Sequence, residues 1–83
     1  MENVTKFDYS KKISKSRNYG NINEAIDLAL EAKKKYPEEN IFEKFLGDLY
    51  FQINNYEAAG NAYINFLLKI DRHVEYRKRI ELK

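Results

Sequence analysis

The sequence predicts an all-helical protein in which the helices pair as antiparallel hairpins. Apolar residues recur at intervals of three and four along most of the chain, which is the spacing of one face of an α-helix. Gly20 and Asn54 interrupt this spacing, and both residue types tolerate the backbone conformation that commonly follows a helix end. The chain has 83 residues, which limits it to one small domain. We therefore expect about five helices within a single domain.

The composition excludes several classes of protein. There are no cysteines, so disulfides and cysteine-based zinc sites are excluded. No apolar run approaches the roughly 20 residues needed to cross a bilayer, and the N-terminus lacks the apolar core of a signal peptide. A cytoplasmic protein without membrane contact is the simplest interpretation. The net charge of +2 is well short of the basic character typical of a dedicated nucleic-acid binder.

The first two helices are expected at about residues 6–18 and 22–36. The first has few apolar residues and is otherwise basic. Asn21 can cap the second helix, with Glu24 at capping-box spacing. Pro37 marks the end of that helix, because the residue before a proline disfavours the helical conformation.

The third and fourth helices are expected to form a hairpin around a turn at Asn54. Asn40 can cap the third helix and Asn55 the fourth. Gly60, inside the fourth helix, costs about 1 kcal/mol of helix propensity relative to alanine, which favours tight packing against another helix there. The inward-facing residues predicted for the fourth helix are Tyr56, Ala59, Gly60, Tyr63, Phe66, Leu67 and Ile70.

A fifth helix is expected from about Arg72 to Leu82, after a cap at Asp71. Ile64 and Leu68 are apolar but lie off the inner stripe of the fourth helix, and the fifth helix is the obvious element to cover them. If the cover is incomplete, two copies could form a homodimer through an apolar patch composed of Ile64, Leu68, Val74, Ile80 and Leu82. No stop signal precedes Lys83, so residues 1–83 are also compatible with the N-terminal part of a longer protein.

The two hairpins are related by a constant offset. Three pairs of residues are each 34 positions apart: Gly20 and Asn54, Ala25 and Ala59, and Pro37 and Asp71. A helix–turn–helix unit with this period resembles the tetratricopeptide repeat (TPR) family. The residues of 40–71 that match the family pattern are Leu46, Gly47, Tyr50, Tyr56, Ala59 and Tyr63. Glu43 stands at the pattern's Trp, and Asp71 stands at its closing Pro.

Residues 6–39 resemble a degenerate repeat. Gly20, Ala25, Ala32 and Pro37 fit the pattern, whereas its Leu, Gly and Tyr are replaced by Lys12, Ile13 and Ser16. The resemblance implies a short right-handed α-solenoid with repeats at about 6–39 and 40–71 and a capping helix at about 72–82. It also implies that Gly47 lies where two helices meet, and that Tyr50, Tyr56 and Tyr63 pack in the core.

The resemblance further implies a concave surface lined by the first helix of each repeat. Its groove-facing positions are Phe7, Ser10, Ser14, Arg17, Asn18, Ile41, Lys44, Asp48, Phe51 and Gln52, with Lys78 34 residues after Lys44. Phe51 falls outside the apolar stripe of the third helix. We expect it either to anchor a partner peptide or helix, or to be covered by the N-terminal segment or the last helix. Ser10, Ser14 and Asp48 break the carboxylate-clamp pattern of some family members, so no such clamp is expected.

No residue pattern indicates catalysis or a cofactor. The single histidine, His73, has no second metal ligand at helical spacing, and there is no phosphate-binding glycine loop. We therefore predict a non-catalytic interaction module without metal or cofactor, whose partner is a protein, a peptide or a second copy. The less favoured alternative is a nucleic-acid-binding helical domain that uses the basic first and last helices, although acidic residues interleave with Arg72, Arg77, Lys78 and Arg79.

Overall fold

A computed structural model describes the backbone of residues 5–81 and the side chains of residues 5–70. The helices are α1 (Lys6–Asn18), α2 (Ile22–Lys35), α3 (Ile41–Gln52) and α4 (Tyr56–Glu81). Residues 5–81 contain no strand. Each helix packs against the next in the chain, and α1 also contacts α3. The all-helical class predicted from the sequence is confirmed.

A capping box starts α1. The Thr5 backbone N–H donates to Asp8 Oδ2 at 2.9 Å, and the Asp8 N–H donates back to Thr5 Oγ1 at 3.3 Å. The Thr5 backbone N–H and the Thr5 hydroxyl both donate to Asp8 Oδ2, and these two bonds lower the pKa of Asp8 below its ordinary value because they stabilise the charged carboxylate. Thr5-x-x-Asp8 is not among the features predicted from the sequence, yet it anchors the start of the most basic helix.

The turns after α1 and α3 share one geometry. Gly20 has φ +84° and Asn54 has φ +65°, as predicted for residues that follow a helix end. The next residue closes each turn: the Asn21 N–H donates to Ser16 O and the Asn55 N–H to Tyr50 O, both at 2.8 Å. These are Schellman-type bonds, which satisfy carbonyls at a helix end. The 34-residue offset therefore relates two turns of the same hydrogen-bonding pattern.

The asparagine caps behave differently from one another. Asn55 caps α4 as predicted, since its Oδ1 accepts a hydrogen bond from the Ala58 N–H at 3.3 Å. The side chains of Asn21 and Asn40 accept no capping bond, so those two predictions are wrong. Their backbone carbonyls instead accept the first helical hydrogen bonds of α2 and α3.

The core lies between α1, α2 and α3. Three aromatic rings meet there with centroids 6.2–6.4 Å apart: Tyr9, Tyr36 and Phe42. The alanines of α2 are fully buried, which allows α1 and α3 to approach α2 closely. The fully buried aliphatic residues of α1 and α3 are Ile13, Leu46 and Leu49. Burial of this apolar surface is the main contribution to the stability of the fold.

Gly47 lies where α3 meets α4. A Cβ atom on Gly47 would stand only 2.5–2.8 Å from atoms of the Tyr63 ring. The structure thus confirms that Gly47 provides space for a close helix contact. In the first hairpin the residues at the same positions, 34 residues earlier, are Ile13 and Ala29, and both are fully buried. The large and small side chains have exchanged helices, which explains how an isoleucine fits at a glycine position.

Three predictions for α4 are corrected. Leu67 is exposed although the helical spacing places it on the inner stripe. Tyr56 is exposed because it is the first residue of α4, and its ring lies against Phe51 rather than in the core. No atom of the described residues lies within 4 Å of a Cβ atom built on Gly60, so no close contact with a described helix compensates for this glycine.

The predicted helix break at Asp71 does not occur. One helix, α4, runs from Tyr56 to Glu81, so residues 5–81 contain four helices rather than five. Pro37 ends α2 by restricting Tyr36, whereas Asp71 keeps its N–H and imposes no such restriction. Ile64 and Leu68, which the fifth helix was expected to cover, are exposed. The side chains of Val74, Lys78 and Ile80, and all of Leu82, lie outside the described residues.

Candidate partner-binding surface

One face of α3 carries the residues predicted to meet a partner. Lys44, Phe51 and Gln52 are exposed, and Asp48 is half-buried. Their spacing of three and four residues places them along one side of the helix. The opposite side of α3, which includes Phe42 and Leu49, is buried in the core. The row is therefore displayed on a helix whose opposite side is packed in the core.

Phe51 is not covered by the residues that the structure describes. Its side chain is 58% exposed, and its ring meets the ring of Tyr56 edge-on with centroids 5.3 Å apart. The Tyr56 hydroxyl donates to Asn54 Oδ1 at 2.9 Å, which holds that ring over the turn. The described residues leave Phe51 exposed, and its role as an anchor for a partner stays a prediction. Together Phe51 and Tyr56 form an exposed aromatic pair at the α3–α4 turn.

Asp48 lies on the predicted binding face of α3 and also makes a contact within the α3–α4 hairpin. Its Oδ1 accepts a hydrogen bond from the Tyr63 hydroxyl of α4. The bond to this carboxylate, together with burial, raises the pKa of Tyr63 to about 12. Tyr63 is therefore protonated at neutral pH and donates to Asp48. The carboxylate is held by a donor within the chain, so Asp48 links α3 to α4.

The corresponding row on α1 is also open to solvent. Phe7, Arg17 and Asn18 are exposed, while Ser10 and Ser14 are half-buried. The Ser10 hydroxyl donates to the Lys6 backbone carbonyl at 3.2 Å. Because α1 contacts α3, the rows on the two helices belong to neighbouring elements. Lys78 lies on the helical backbone of α4, and its side chain is outside the described part of the chain.

A shallow depression of about 680 Å³ runs along α1. It is lined by Ser10, Lys11, Ser14, Lys15, Asn18 and Tyr19. We call this surface the α1 groove. Of these, Ser10, Ser14 and Asn18 are at predicted groove positions. Lys11, Lys15 and Tyr19 are each the next residue in the sequence after one of them. The repeat of Ser-Lys at 10–11 and 14–15, followed by Asn18-Tyr19, is the sequence signal that could have identified the whole set.

A buried carboxylate, that of Glu43, lies on α3. Glu43 is fully buried, and its Oε1 lies 2.9 Å from Lys33 Nζ and 3.8 Å from Lys69 Nζ. No aligned hydrogen bond from the described residues reaches either carboxylate oxygen. The two lysines, from α2 and α4, are oriented as ionic partners. Because cations of the chain itself surround Glu43, we interpret this cluster as an internal ion pair rather than a ligand site.

The equivalent position in the first hairpin is Tyr9, 34 residues before Glu43. The Tyr9 hydroxyl donates to Glu31 Oε2 at 2.7 Å, and this bond raises the pKa of Tyr9. Lys35, the equivalent of Lys69, places its Nζ 5.6 Å from the centre of the Tyr9 ring. A polar contact with the second helix is thus present at this position in both hairpins, although the residue types differ.

The outer face of α4 lacks a covering element in the described structure. Ile64, Leu67 and Leu68 are 56%, 56% and 53% exposed. Helix α2 packs against both α1 and α3, whereas α4 packs against α3 alone among the described helices. The segment 58–68 contains no charged residue in a chain that is 34% charged. This face is therefore a second open surface, apolar where the α1 groove is basic.

The described residues hold no cluster of three or more side chains suited to a metal ion. Among the described helices, none is both long enough and apolar enough to span a membrane. In comparisons with family models, curated proteins and solved structures, nothing was found to match this chain. A function for the chain therefore has to be inferred from its own surfaces.

Proposed function

We propose that this chain is a non-catalytic protein-interaction module built from TPR-like hairpins. The module binds a peptide or helix of a partner protein along the α3 face that carries Lys44, Asp48, Phe51 and Gln52. The exposure of Phe51 is the observation that supports this proposal most directly. We place the module in the cytoplasm, a reducing compartment with which a sequence that has no cysteine is compatible.

Phe51 has the properties of a binding anchor. A large aromatic side chain that is more than half exposed can bury much apolar area against a partner. Its contact with Tyr56 and its place on a well-packed helix restrict its motion before binding, which reduces the ordering cost. Lys44 and Gln52 on the same face supply polar contacts at the rim of such an interface.

The first hairpin extends the proposed surface. Arg17 and Asn18 are 34 residues before Phe51 and Gln52, and both are exposed. The shared turn geometry and the 34-residue offset support a solenoid in which successive first helices line one concave side. Lys78, predicted to continue this row on a separate helix, lies instead on the continuous α4.

Replacing Phe51 with alanine tests the proposal. We expect Phe51→Ala to weaken binding of an identified partner by roughly tenfold or more, because central aromatic anchors commonly contribute about 2 kcal/mol or more. The partner is first captured from native lysate and identified by mass spectrometry, and its affinity is then measured by calorimetry.

Leu30→Ala is the matched control, since Leu30 is also an exposed apolar residue but lies on α2. It should leave the affinity unchanged. Equal affinities for wild type and Phe51→Ala, with unchanged helicity, would remove Phe51 from the binding surface.

Self-association is a second candidate function, favoured by the open face of α4. Ile64, Leu67 and Leu68 would meet the same face of a second copy without charge repulsion, since segment 58–68 is uncharged. Burying such side chains on association is favourable by about 25 cal/mol per Å² of apolar area. Val74, Ile80 and Leu82 belong to the proposed patch, although their side chains lie outside the described residues.

Light scattering coupled to gel filtration tests this association. We expect the wild-type mass to rise with concentration and Leu68→Glu to remain monomeric, because dimerisation would bury its added charge. Asn65→Glu is the control, since Asn65 is an exposed neutral residue of the same helix. A wild-type chain that remains monomeric at millimolar concentration would contradict self-association.

A further inference from the structure

The positive charge of this chain is concentrated on α1. Segment 6–18 contains five basic residues and one acidic residue, a net charge of +4, whereas the whole chain carries +2. The remaining residues therefore sum to −2. A mildly basic total thus conceals one strongly basic helix, and electrostatic attraction of an anionic partner is expected to act there.

The cations of α1 differ in how far they are already paired. Lys6 forms an ion pair with Glu39, with Nζ 2.6 Å from Oε1. Lys11, Lys12, Lys15 and Arg17 are exposed and have no ion pair with the described residues. The single acidic residue of α1, Asp8, is held in the capping box with Thr5. Two of the unpaired cations, Lys11 and Lys15, line the α1 groove.

The described residues that line the α1 groove carry hydrogen-bonding groups and no carboxylate. Lys11 and Lys15 provide positive charge, while Ser10, Ser14 and Asn18 provide short polar side chains beside them. Tyr19 closes one end and is 73% exposed. A second depression on the other side of Lys15 does contain a carboxylate, that of Glu24. The uncompensated charge is therefore on the side of Ser10 and Ser14.

We propose that the α1 groove binds an acidic segment of a partner protein in extended conformation. This inference rests on the proposed interaction function and assigns the charge of the partner. The four-residue step from Lys11 to Lys15 rises about 6 Å along α1. Alternate residues of an extended peptide are about 6.6 Å apart. Carboxylates at every second position of the peptide therefore match the two lysines, and the serines and Asn18 are placed to bond the peptide backbone.

The length of α1 limits the size of this segment. Its 13 residues span about 20 Å, enough for roughly six residues of extended peptide. Phe7 is exposed near the N-terminal end of α1, and Tyr19 lies at the groove's C-terminal end. Each offers an apolar contact for a side chain that flanks the acidic residues.

Single-stranded nucleic acid is the competing anionic partner, and the groove favours it less. Surfaces that bind single strands combine positive charge with a series of aromatic side chains on which successive bases stack. Among the described residues that line the α1 groove, Tyr19 is the only aromatic one, and the residues beside the two lysines are serines and an asparagine. These groups suit carboxylates and peptide amides better than stacked bases.

Fluorescence anisotropy with defined probes tests the proposal. The probe is a labelled peptide of about eight residues in which glutamate alternates with serine between terminal leucines. The control probe has glutamine in place of each glutamate. The full 83-residue chain should bind the acidic probe, and binding should weaken as salt is raised, since exposed charges are screened. Binding of the glutamine probe should be at least tenfold weaker.

Matched variants distinguish binding in the α1 groove from a general effect of the net charge of the chain. Lys15→Glu and Lys11→Glu should each weaken binding of the acidic probe by about fivefold or more, whereas Lys15→Arg should retain it. Lys34→Glu is the control, because Lys34 is exposed on α2 and the substitution changes the net charge equally. An effect of Lys34→Glu as large as that of Lys15→Glu would overturn the proposal, as would equal binding of the two peptides.

A uridine oligonucleotide of similar length serves as the probe for the competing nucleic-acid partner. Oligonucleotide binding that Lys15→Glu abolishes, with no binding of the acidic peptide, would overturn the proposal in favour of a nucleic-acid surface. If the affinity of a protein partner depends on Phe51 but not on Lys11 or Lys15, the interaction module is supported and only the acidic ligand of the α1 groove is rejected. Absence of the Phe51 effect alone would reject the α3 surface and leave the α1 groove in place.

Discussion

At the scale of single residues, the contact between Gly47 and Tyr63 shows how helix packing determines residue choice. The space that a side chain on Gly47 would need is occupied by the Tyr63 ring. The first hairpin solves the same contact with Ile13 and Ala29 in the reverse order of size. Total volume is thus divided differently between the two helices, and cores tolerate such exchanges when the sum is kept.

We expect Gly47→Ala to destabilise the protein by about 1–3 kcal/mol through overpacking against Tyr63. Urea unfolding followed by circular dichroism measures the change. Gly60→Ala is the matched control: a Cβ atom there meets none of the described atoms, so the substitution should stabilise the protein by about 0.5–1 kcal/mol through helix propensity.

A double mutant at positions 47 and 63 tests whether the Tyr63 ring causes the destabilisation. In a Tyr63→Ala background the ring is gone, so Gly47→Ala should lose its penalty and become neutral or stabilising. An equal penalty in both backgrounds would contradict the proposed clash.

The Tyr63–Asp48 hydrogen bond predicts a pH dependence of stability. The pKa of Tyr63 is about 12 in the folded state, above the ordinary value of 10.0 that applies when unfolded. The bond's contribution is therefore fully present below pH 10 and is lost as pH rises from about 10 to 12. Tyr9, whose pKa is also raised, contributes in the same direction.

Tyr63→Phe isolates the contribution of this hydroxyl. We expect the variant to be less stable than wild type at pH 8, and the difference in unfolding free energy to shrink as pH approaches 12. Chemical denaturation at each pH provides the measurement. A difference that stays constant between pH 8 and 12 would show that the hydroxyl does not donate to Asp48.

At the scale of elements, each helix ends for a reason that can be identified locally, with α4 as the informative exception. Gly20 and Asn54 end α1 and α3 through positive φ angles, and Pro37 ends α2. Asp71 occupies the place of Pro37 in the repeat but has neither property, and the helix continues to Glu81. The length of α4 therefore depends on the chemistry of one residue.

Asp71→Pro is expected to end α4 near Ile70, because proline removes a backbone hydrogen bond and clashes with the preceding turn. Carbon chemical shifts of residues 72–81 measure this directly: they should be helical and continuous with Ile70 in wild type, and interrupted at the proline in the variant. Asp71→Ala is the control and should leave the shifts helical. A wild-type helix already interrupted at Asp71 would contradict the continuous α4.

At the scale of the whole molecule, two surfaces of different chemistry are held on one small scaffold. The basic α1 groove and the aromatic pair of Phe51 and Tyr56 are displayed on neighbouring hairpins, which suits a partner with both acidic and apolar residues. Beneath them, Glu43 joins α3 to lysines of α2 and α4. Such an internal ion pair favours one arrangement of the helices, since any other would leave a buried charge unpaired.

Features that depend on a few neighbouring residues could be predicted from the sequence alone. Helices α1 to α3, the start of α4, the turns at Gly20 and Asn54, and the space at Gly47 belong to this group, because spacing, backbone freedom and side-chain size act locally. The exposed α3 row was predictable for the same reason. Its members lie off the apolar stripe that must face the core.

Only the tertiary structure decided which surfaces are covered. Helical spacing places Tyr56 and Leu67 on the inner face of α4, yet both are exposed. Tyr56 is the first residue of α4, and Leu67 lies near the end of the stretch that the 12 residues of α3 can cover. Glu43 has the composition of a surface residue but is buried, since Lys33 and Lys69 come from helices distant in sequence. Burial is a property of which helices meet, and that is determined by long-range packing rather than by the local pattern.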